Sequence, residues 1–336
     1  MKVFVTGVAG FLGSHIADAM LALGHKVVGI DNMKGGDPDN VPADVEYYRI
    51  ACQDLVKPAW RPIMEKVNLV YHCAALAHEG LSVFSPSMIT ESIFGASAAV
   101  FSAAIQANVK RIVHCSSMAR YGAASPPFHE YAQPRPQDPY GIAKIAVEQL
   151  LKNLCSVHNT EYVIAVPHNI IGPRQKYDDP FRNVASIMMN RMLQEKQPII
   201  YGDGTQQRCF SFVDDCLDGL IKMGVQDISG EVINIGPDEQ PVTINELARH
   251  IKDATGFVPP LEPIYMPGRP QEVKIALCSS DKARRLLGYE TKTSLELGLA
   301  KMALAMRTRG PRPFRYHLPI EIERDYCPKT WTDRIF

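Results

Sequence analysis

The first 31 residues carry the pattern that most restricts what this chain can fold into. A short apolar run at residues 2–6 is followed by a glycine-rich turn at residues 7–13, a helical pattern over residues 14–23 and a second apolar run at residues 26–30. This order is typical of a βαβ unit, in which two parallel strands are joined by a crossover helix. The chain is therefore predicted to contain a parallel sheet with helices packed on its faces.

The turn and the end of the second strand carry residues suited to a dinucleotide. Gly7 permits the tight turn, Gly10 lets the backbone approach a pyrophosphate, and Gly13 lets the helix pack closely on the strand. The helix start offers backbone N–H groups to an anion, and Asp31 can accept both hydroxyls of a ribose. Its charge would repel a 2′-phosphate, which favours NAD over NADP. The predicted NAD ligands from this unit are Gly7, Gly10, Phe11, Leu12, Gly13, Asp31 and Asn32.

Strand and helix patterns continue to alternate through the first half of the chain. Further strands are predicted at residues 45–50, 69–72 and 111–116, with a long helix at residues 85–107. The predicted fold class is therefore α/β, with a Rossmann-type doubly wound parallel sheet that binds ligands at the carboxyl ends of its strands. Small residues at those ends leave room for a dinucleotide, and they are Ala74, Ala75 and Ser116.

A second constellation combines a strand end with a helix start. Ser117 follows a predicted strand, and Pro139 opens a helical pattern whose first turn carries Tyr140 and Lys144. On a helix, residues four apart share a face, so the phenol and the ammonium can point into the same cleft. A nearby cation favours the phenolate and is expected to lower the tyrosine pKa toward the range of a base working at neutral pH. Alone, this spacing more often marks a solvated helix face; the preceding dinucleotide unit favours the catalytic interpretation.

Composition and charge argue against several classes of protein. The 336 residues contain 36 Lys plus Arg and 36 Asp plus Glu, so the near-zero net charge gives no support to a nucleic-acid or acidic-membrane surface. The eight cysteines have no Cys-x-x-Cys spacing. This favours buried free thiols in a reducing compartment over disulfides or zinc, and no metal site is predicted. No signal-peptide pattern and no apolar run of membrane length is recognised, so a cytoplasmic protein is expected.

Together these motifs resemble the extended short-chain dehydrogenase/reductase family, and within it the NAD-dependent nucleotide-sugar epimerase/dehydratase group. The similarity is carried by the glycine turn with Thr6, Asp31-Asn32, Asp54, Ala74-Ala75, Ser116-Ser117 and Tyr140-x-x-x-Lys144, and it continues through nearly the whole chain. It implies Tyr140 as the acid/base, Lys144 as the ligand of the nicotinamide ribose that acidifies the tyrosine, and Ser117 as the residue that holds the reacting hydroxyl. By the same resemblance, three more residues bind the cofactor: Asp54, Leu55 and Pro167.

One position departs from part of the family. The 4,6-dehydratases carry an Asp-Glu pair directly after the serine position, whereas this chain has Met118 and Ala119 there. Neither side chain can transfer a proton, so dehydration by that route is disfavoured, and the pattern is similar to that of UDP-glucose 4-epimerases. The resemblance thus implies an NAD-dependent 4-epimerase of UDP-hexoses or UDP-N-acetylhexosamines that acts through a transient 4-keto sugar. A dehydratase or ketoreductase on the same scaffold, and a non-catalytic NAD-binding protein, are the alternatives.

The second half is expected to bind the nucleotide sugar. By resemblance, Asn169 contacts the diphosphate, and Arg208 and Arg269 form a two-arginine clamp on it. Tyr201 corresponds to the nucleobase contact. The alanine at position 276 stands where epimerases restricted to plain hexoses carry a bulky tyrosine, which implies a roomier sugar pocket. The implied substrate ligands are Ser117, Asn169, Asn183, Val184, Tyr201, Arg208, Arg269, Glu272 and Ala276.

Two domains are expected. An NAD-binding domain is predicted over residues 1–166 and a smaller nucleotide-sugar domain over residues 167–336, with one crossover back to the sheet near residues 208–240. A helix of the second domain is predicted to open at Pro180 and run to about residue 195.

The last segment, residues 310–336, is rich in proline and aromatic residues and exceeds the expected core fold. It could pack on the domain, cover the cleft or join a subunit contact. The family resemblance implies a homodimer formed through the helices at about residues 85–107 and 140–158.

Overall fold

The computed structural model describes residues 1–336 in full. Its strands are β1 (Lys2–Thr6), β2 (Lys26–Ile30), β3 (Glu46–Tyr48), β4 (Leu69–His72), β5 (Arg111–Cys115), β6 (Glu161–Pro167), β7 (Ile170–Ile171), β8 (Ile199–Tyr201), β9 (Gln207–Arg208), β10 (Ser211–Phe212), β11 (Glu231–Ile235), β12 (Val242–Thr243), β13 (Ile264–Met266) and β14 (Ile275–Ala276). Its helices are α1 (Phe11–Ala22), α2 (Glu79–Ser82), α3 (Pro86–Thr90), α4 (Ala96–Gln106), α5 (Pro139–His158), α6 (Val184–Leu193), α7 (Val213–Val225), α8 (Ile244–Thr255), α9 (Asp281–Leu287), α10 (Leu295–Arg309) and α11 (Lys329–Thr332).

A parallel sheet of seven strands forms the centre of the molecule, in the order β3-β2-β1-β4-β5-β6-β11. β1 pairs with β2 on one side and with β4 on the other, so the strand order reverses at β1. In open α/β sheets, ligands bind outside the carboxyl ends of the strands where the order reverses. The predicted α/β Rossmann-type fold is confirmed, and its ligand crevice is expected at the ends of β1 and β4.

Both faces of the sheet are covered by helices because alternate side chains of each strand point to opposite faces. Phe4 packs with residues of α4 and α5 such as Val100 and Leu151, whereas Val3 and Val5 pack on the opposite face with residues of α1 and α7. A parallel sheet buried on both faces needs runs of consecutive apolar residues, as residues 3–5 of β1 and 69–71 of β4 provide. The sheet is therefore a rigid base for the loops at its carboxyl edge.

The helix predicted over residues 85–107 is built from α3, one π-helical turn at Glu91–Gly95, and α4. By length and composition alone, residues 86–106 form the one helix long and apolar enough to cross a membrane. Ile93, Val100 and Phe101 are buried against the sheet and α5. The apolar character of this helix is thus accounted for by its packing within the protein.

The second half forms smaller units beside the carboxyl edge of the sheet. β7 pairs with β10, β8 with β13, and β9 lies between β12 and β14. α6, α8 and α10 pack on one another around a separate core that includes Met188, Leu247 and Leu299. α7 and β11 cross back to the large sheet, where β11 pairs with β6 at the edge. We propose to retain the division at about residue 166, with the crossover at residues 213–235 as part of the first domain's sheet.

The C-terminal tail, defined as residues 310–336, lies across both halves. Glu321 accepts hydrogen bonds from the backbone N–H groups of Ser87 and Met88 at the start of α3, at 2.9 and 2.8 Å. Arg312 forms an ion pair with Asp37 at 3.0 Å, next to the loop after β2. The backbone N–H of Arg312 also donates to the side chain of Asn190 in α6 at 3.1 Å, so the tail bridges the first domain and the second half.

Candidate active site

One large cleft lies at the carboxyl ends of β1, β2, β4, β5 and β6, and it has a volume of about 490 Å³. It extends from the glycine turn after β1 to the loops around β8 and β9. Most residues predicted from the sequence line it. They are Gly7, Gly10, Phe11, Leu12, Gly13, Asp31, Asn32, Ala74, Ala75, Ser116, Ser117, Tyr140, Lys144, Pro167, Asn169, Asn183, Val184, Tyr201, Arg208, Arg269 and Glu272.

The glycine turn has the close backbone approach that the sequence predicts. Gly7 has a φ of +71°, a left-handed conformation that favours glycine, and a Cβ at Gly13 would clash with the carbonyl oxygen of Gly7. Gly10 precedes α1, and no side chain caps the helix start. The first N–H groups of α1 are thus left for a ligand in the cleft, which suits a pyrophosphate.

Asp31 lies at the end of β2 with its carboxylate turned to the same turn. Its Oδ2 accepts from the backbone N–H of Ala9 at 3.1 Å and its Oδ1 from that of Met33 at 2.7 Å. Burial raises the pKa of Asp31, and these two N–H donors oppose the shift. A fixed carboxylate one strand away from an anion-binding turn fits a dinucleotide with an unphosphorylated ribose. The residues present therefore fit NAD.

The three predicted catalytic residues meet on the opposite wall. α5 begins at Pro139, and Asp138 caps it by accepting from the backbone N–H of Gly141 at 2.8 Å. This fixes the first turn of α5, so Tyr140 and Lys144 both face the cleft. Tyr140 is 7% exposed, and the Ser117 hydroxyl lies beside its phenol.

The expected acidification of Tyr140 by Lys144 is not what the structure shows. Burial raises the pKa of the Tyr140 phenol well above its usual value; the Ser117 hydroxyl lowers it, and the carboxylates of Glu79 and Asp138 raise it. The Lys144 ammonium donates to the carbonyl oxygen of Cys115 at 2.8 Å and lies 5.8 Å from the centre of the Tyr140 ring. Burial in turn lowers the pKa of Lys144 to about 8. The lysine is thus held by the strand end, and it does not by itself make the phenol acidic.

A buried ion pair stands behind the serine pair. The Ser116 hydroxyl donates to Glu148 at 2.5 Å, and the Arg120 guanidinium donates to both oxygens of Glu148 at 2.9 Å. Glu148 lies one helical turn after Lys144 on α5. The pair fixes α5 against the end of β5, which keeps Ser117 and Tyr140 in register.

The substrate side of the cleft is lined by the two predicted arginines. Arg208 donates to the carbonyl oxygen of Val273 at 2.6 Å, which ties β9 to the segment before β14. Arg269 forms an ion pair with Glu272 at 3.0 Å, and its guanidinium lies 4.8 Å from the centre of the Tyr201 ring. Asn169 donates to the carbonyl oxygen of Cys209 at 2.9 Å. Two guanidinium groups thus share one wall, as a diphosphate clamp requires.

Three predicted residues lie outside the cleft lining. Asp54 accepts from the backbone N–H of Ala51 at 3.1 Å and pairs with Lys57 at 2.6 Å, so its carboxylate closes a short 3-10 turn. Leu55 is fully buried in the core under the sheet. Ala276 is buried in the same core and is absent from the cleft lining.

The predicted helix start at Pro180 is wrong by four residues. α6 begins at Val184, and the side chain of Asn183 caps it by accepting from the backbone N–H of Ala185 at 2.9 Å. Residues 180–182 form a turn before the helix, in which the backbone N–H of Arg182 donates to the carbonyl oxygen of Asp179 at 3.3 Å. Asn183 and Val184 follow at the helix start and line the cleft wall.

Glu79 and Phe336 are among the cleft residues that the sequence predictions missed. Glu79 opens α2 and its side chain lines the cleft; desolvation within the cleft raises its pKa to about 7, with Asp138 adding to the rise and Arg208 and Arg269 opposing it. Phe336, the last residue, lines the cleft near Tyr201. Neither has a local signal, because long-range packing alone brings α2 and the chain end to this cleft. No group of three or more His, Cys, Asp or Glu side chains is placed to hold a metal ion.

Comparison with known proteins supports this geometry. The model of the NAD dependent epimerase/dehydratase family matches residues 3–236, which is more than half of the chain. The chain belongs to this family. Several members of the family are similar to this chain over most of its length.

Two curated members of the epimerase/dehydratase family are similar along almost their whole length. A UDP-glucose 4-epimerase of Mycolicibacterium smegmatis is 30% identical over 319 residues, which cover 92% of this chain and 100% of that protein. A UDP-glucuronate 4-epimerase of Thermodesulfobacterium geofontis is 27% identical, covering 88% and 93% respectively. The crystal structure of a UDP-glucose 4-epimerase from Thermotoga maritima with UDP-glucose superposes with a TM-score of 0.85 at 30% identity, covering 92% of this chain and 99% of that one.

Proposed function

We propose that this protein is an NAD-dependent nucleotide-sugar 4-epimerase that acts through a transient 4-keto sugar. The observation that carries the proposal is the meeting of Ser117, Tyr140 and Lys144 in one cleft with the glycine turn and Asp31. The family match and the 4-epimerases among the relatives support the same activity. UDP-hexoses and UDP-N-acetylhexosamines are the proposed substrates.

The catalytic residues have separable roles in this proposal. Tyr140 removes the proton of the sugar C4 hydroxyl and returns it, and Ser117 hydrogen-bonds the same oxygen. Lys144, held by the carbonyl oxygen of Cys115, binds the nicotinamide ribose. When bound, NAD supplies the hydride acceptor and donor, and its oxidised ring carries a positive charge that favours the phenolate of a neighbouring tyrosine.

The substrate must be anchored firmly while the keto sugar turns over. Arg208 and Arg269 provide two guanidinium groups for a diphosphate, and Asn169 lies on the same side. With the diphosphate at the arginines and the C4 hydroxyl at Tyr140, the sugar spans the space between them. Glu79 lines the same cleft. Its carboxylate interacts electrostatically with the Tyr140 phenol and with the two arginines, which supports a position next to the sugar.

The alternative dehydratase activity lacks the acidic pair that would follow Ser117. Ser117 caps a 3-10 turn formed by Met118–Arg120, and neither Met118 nor Ala119 reaches the cleft. Water elimination needs an acid at the hydroxyl that leaves, and this turn supplies none. We therefore favour epimerisation over dehydration.

Product analysis tests the proposal. Purified protein is incubated with UDP-glucose and, separately, UDP-N-acetylglucosamine, and the products are followed by NMR. The expected result is conversion to the C4 epimer until equilibrium is reached, with no net change in NADH absorbance. Accumulation of a 4-keto-6-deoxy sugar, or stoichiometric consumption of NADH, would contradict the epimerase assignment.

We further propose a homodimer formed through α4 and α5. Phe94, in the π-helical turn before α4, and Ile142 and Val157 of α5 are large apolar side chains, and each is exposed. Light scattering after size-exclusion chromatography is expected to give twice the 37.3 kDa chain mass. A single-chain mass at micromolar concentration would contradict the dimer.

A further inference from the structure

The chain end forms part of the wall of the cleft on the substrate side. Phe336 lines the cleft together with Tyr201 and with Ile187 and Ile199, from α6 and β8. It is the terminal residue of a segment that crosses the molecule from α10. Its position in the cleft therefore depends on how the tail is fixed.

The tail is fixed by one buried aromatic anchor. Trp331 is 2% exposed, and its indole N–H donates to the carbonyl oxygen of Pro180 at 3.2 Å. Its ring packs edge-on against Phe181 and Phe84, with ring centres 5.2 and 5.9 Å apart. A buried tryptophan with its N–H satisfied contributes strongly to packing. The tail is thus a built part of this wall.

The last seven residues are held by a second set of contacts. The Tyr316 phenol donates to the carbonyl oxygen of Thr330 at 3.1 Å and accepts from the backbone N–H of Phe336 at 3.1 Å. The Phe336 ring lies 5.3 Å from Phe314 and 5.9 Å from the guanidinium of Arg191. These contacts orient the Phe336 ring at the cleft surface.

The tail also holds the side chain that the family resemblance assigns to the nucleobase. The Thr330 side-chain hydroxyl is hydrogen-bonded to the Tyr201 phenol, and Thr330 is itself buried. The guanidinium of Arg269 lies over the ring of Tyr201. The orientation of Tyr201 is therefore set from one side by the tail and from the other by the clamp arginine.

We propose that the C-terminal tail completes the nucleobase subsite, with Phe336 contacting the base and Thr330 positioning Tyr201. The inference rests on the proposed function, because it takes the ligand to be a nucleoside diphosphate sugar. Aromatic side chains bind bases through their π-faces and exclude water from the contact. The tail thus gives this chain a contact to the base from the segment that follows α10.

Calorimetric titration of the NAD-loaded full-length protein with UDP tests this. Phe336→Ala is expected to weaken UDP binding by about tenfold, in line with the loss of one base–aromatic contact. Thr330→Val keeps the size of the side chain and removes the hydroxyl, and a loss of about threefold is expected, since one neutral hydrogen bond is removed. Tyr326→Ala is the matched control, because Tyr326 is an aromatic residue of the same tail that is 80% exposed, and its affinity is expected to stay within about twofold of wild type.

Kinetics separate a binding role from general damage to the fold. With a UDP-sugar substrate, Phe336→Ala and Thr330→Val are expected to raise KM and to leave kcat within about twofold, with NAD content unchanged. UDP binding that is unchanged or tighter in both variants would overturn this inference and leave the proposed function intact; tighter binding would mean that the tail occupies the subsite. Failure of the wild-type protein to bind UDP would overturn both proposals.

Discussion

The two sides of the cleft are constructed differently. On the cofactor side, the residues predicted to bind NAD follow directly after β1, β2, β4 and β5. The pairing of these strands aligns Thr6 with Ile30 and with His72. On the substrate side, the lining comes from two- and three-stranded sheets, a helix start and the chain end. The sheet fixes the first set through its backbone, and side-chain contacts fix the second.

This difference indicates which changes each side tolerates. A parallel sheet buried on both faces holds its strand ends rigidly. The substrate side depends on single contacts, such as Arg208 with the carbonyl oxygen of Val273 and Arg269 with Glu272. Changes there are expected to alter substrate affinity and selectivity without loss of the cofactor, whereas changes at the glycine turn act on the cofactor.

The largest effect is expected at the point where the two sides meet. Tyr140→Phe removes the acid/base, and kcat is expected to fall about 1,000-fold, within the range for loss of a general base. NAD content is expected to stay that of wild type, since the ring remains. Tyr131→Phe, at a phenol that is 86% exposed, is the matched control and is expected to keep full activity. Equal turnover in the two variants would remove Tyr140 from the chemistry.

A reciprocal pair of variants tests the independence of the two sides. Arg269→Ala is expected to weaken UDP binding by about 50-fold through loss of a charge-assisted contact, with NAD content unchanged. Asp31→Asn is expected to lower the NAD content of the purified protein while the remaining loaded fraction binds UDP normally. Exposed Arg61→Ala and Asp44→Asn serve as charge-matched controls. If Arg269→Ala also loses NAD, the two sides are coupled and the comparison fails.

The buried ammonium of Lys144 is predicted to lower the free energy of unfolding of the cofactor-free protein. Its pKa is lowered by burial from 10.5 to about 8, so the unfolded chain holds this proton more tightly than the folded protein does. At pH 7, cofactor-free Lys144→Met is expected to gain stability on the order of 2 kcal/mol while losing activity. The gain is expected to shrink as pH rises from 8 toward 10.5.

Urea unfolding at pH 7 and pH 10 measures this gain. Exposed Lys196→Met is the matched control and is expected to change stability little at either pH. A Lys144→Met variant that is less stable than wild type at pH 7 would contradict the destabilising role of the buried ammonium.

The smallest effect concerns the choice of sugar. The Glu79 carboxyl, with its pKa raised to about 7, is neutral at pH 6 and ionised at pH 8. Its charge then repels the carboxylate of a uronic acid, so the kcat/KM ratio of UDP-glucose over UDP-glucuronate is expected to rise about fivefold between these pH values. In Glu79→Gln the ratio is expected to stay flat. A flat ratio in the wild-type protein would place Glu79 away from the sugar.

The parts of the site that form local sequence patterns could be predicted for a physical reason. The glycine turn, Asp31 and the pair Tyr140 and Lys144 are local patterns whose geometry follows from one strand or one helix, and all of them line the cleft. Glu79 and Phe336 have no such pattern, because only tertiary packing brings them there.

Two expectations depend on a local environment that the sequence does not specify. Asp54 is an acid near a strand end, but its carboxylate is engaged by Ala51 and Lys57 at a turn. The pKa of Tyr140 is raised because burial outweighs the hydrogen bond from Ser117 that lowers it, and the degree of burial is a property of the folded cleft.

The central claim is that the sugar C4 carbon is oxidised and then reduced within one site, with Tyr140 as the acid/base and bound NAD as the hydride carrier. UDP-glucose and UDP-N-acetylglucosamine carrying deuterium at C4 are incubated with the protein in ordinary water, and the epimers are analysed by NMR and mass spectrometry. The account predicts that the deuterium remains at C4 of the product over many turnovers, with no 4-keto sugar released. Loss of the deuterium to solvent during epimerisation would contradict it.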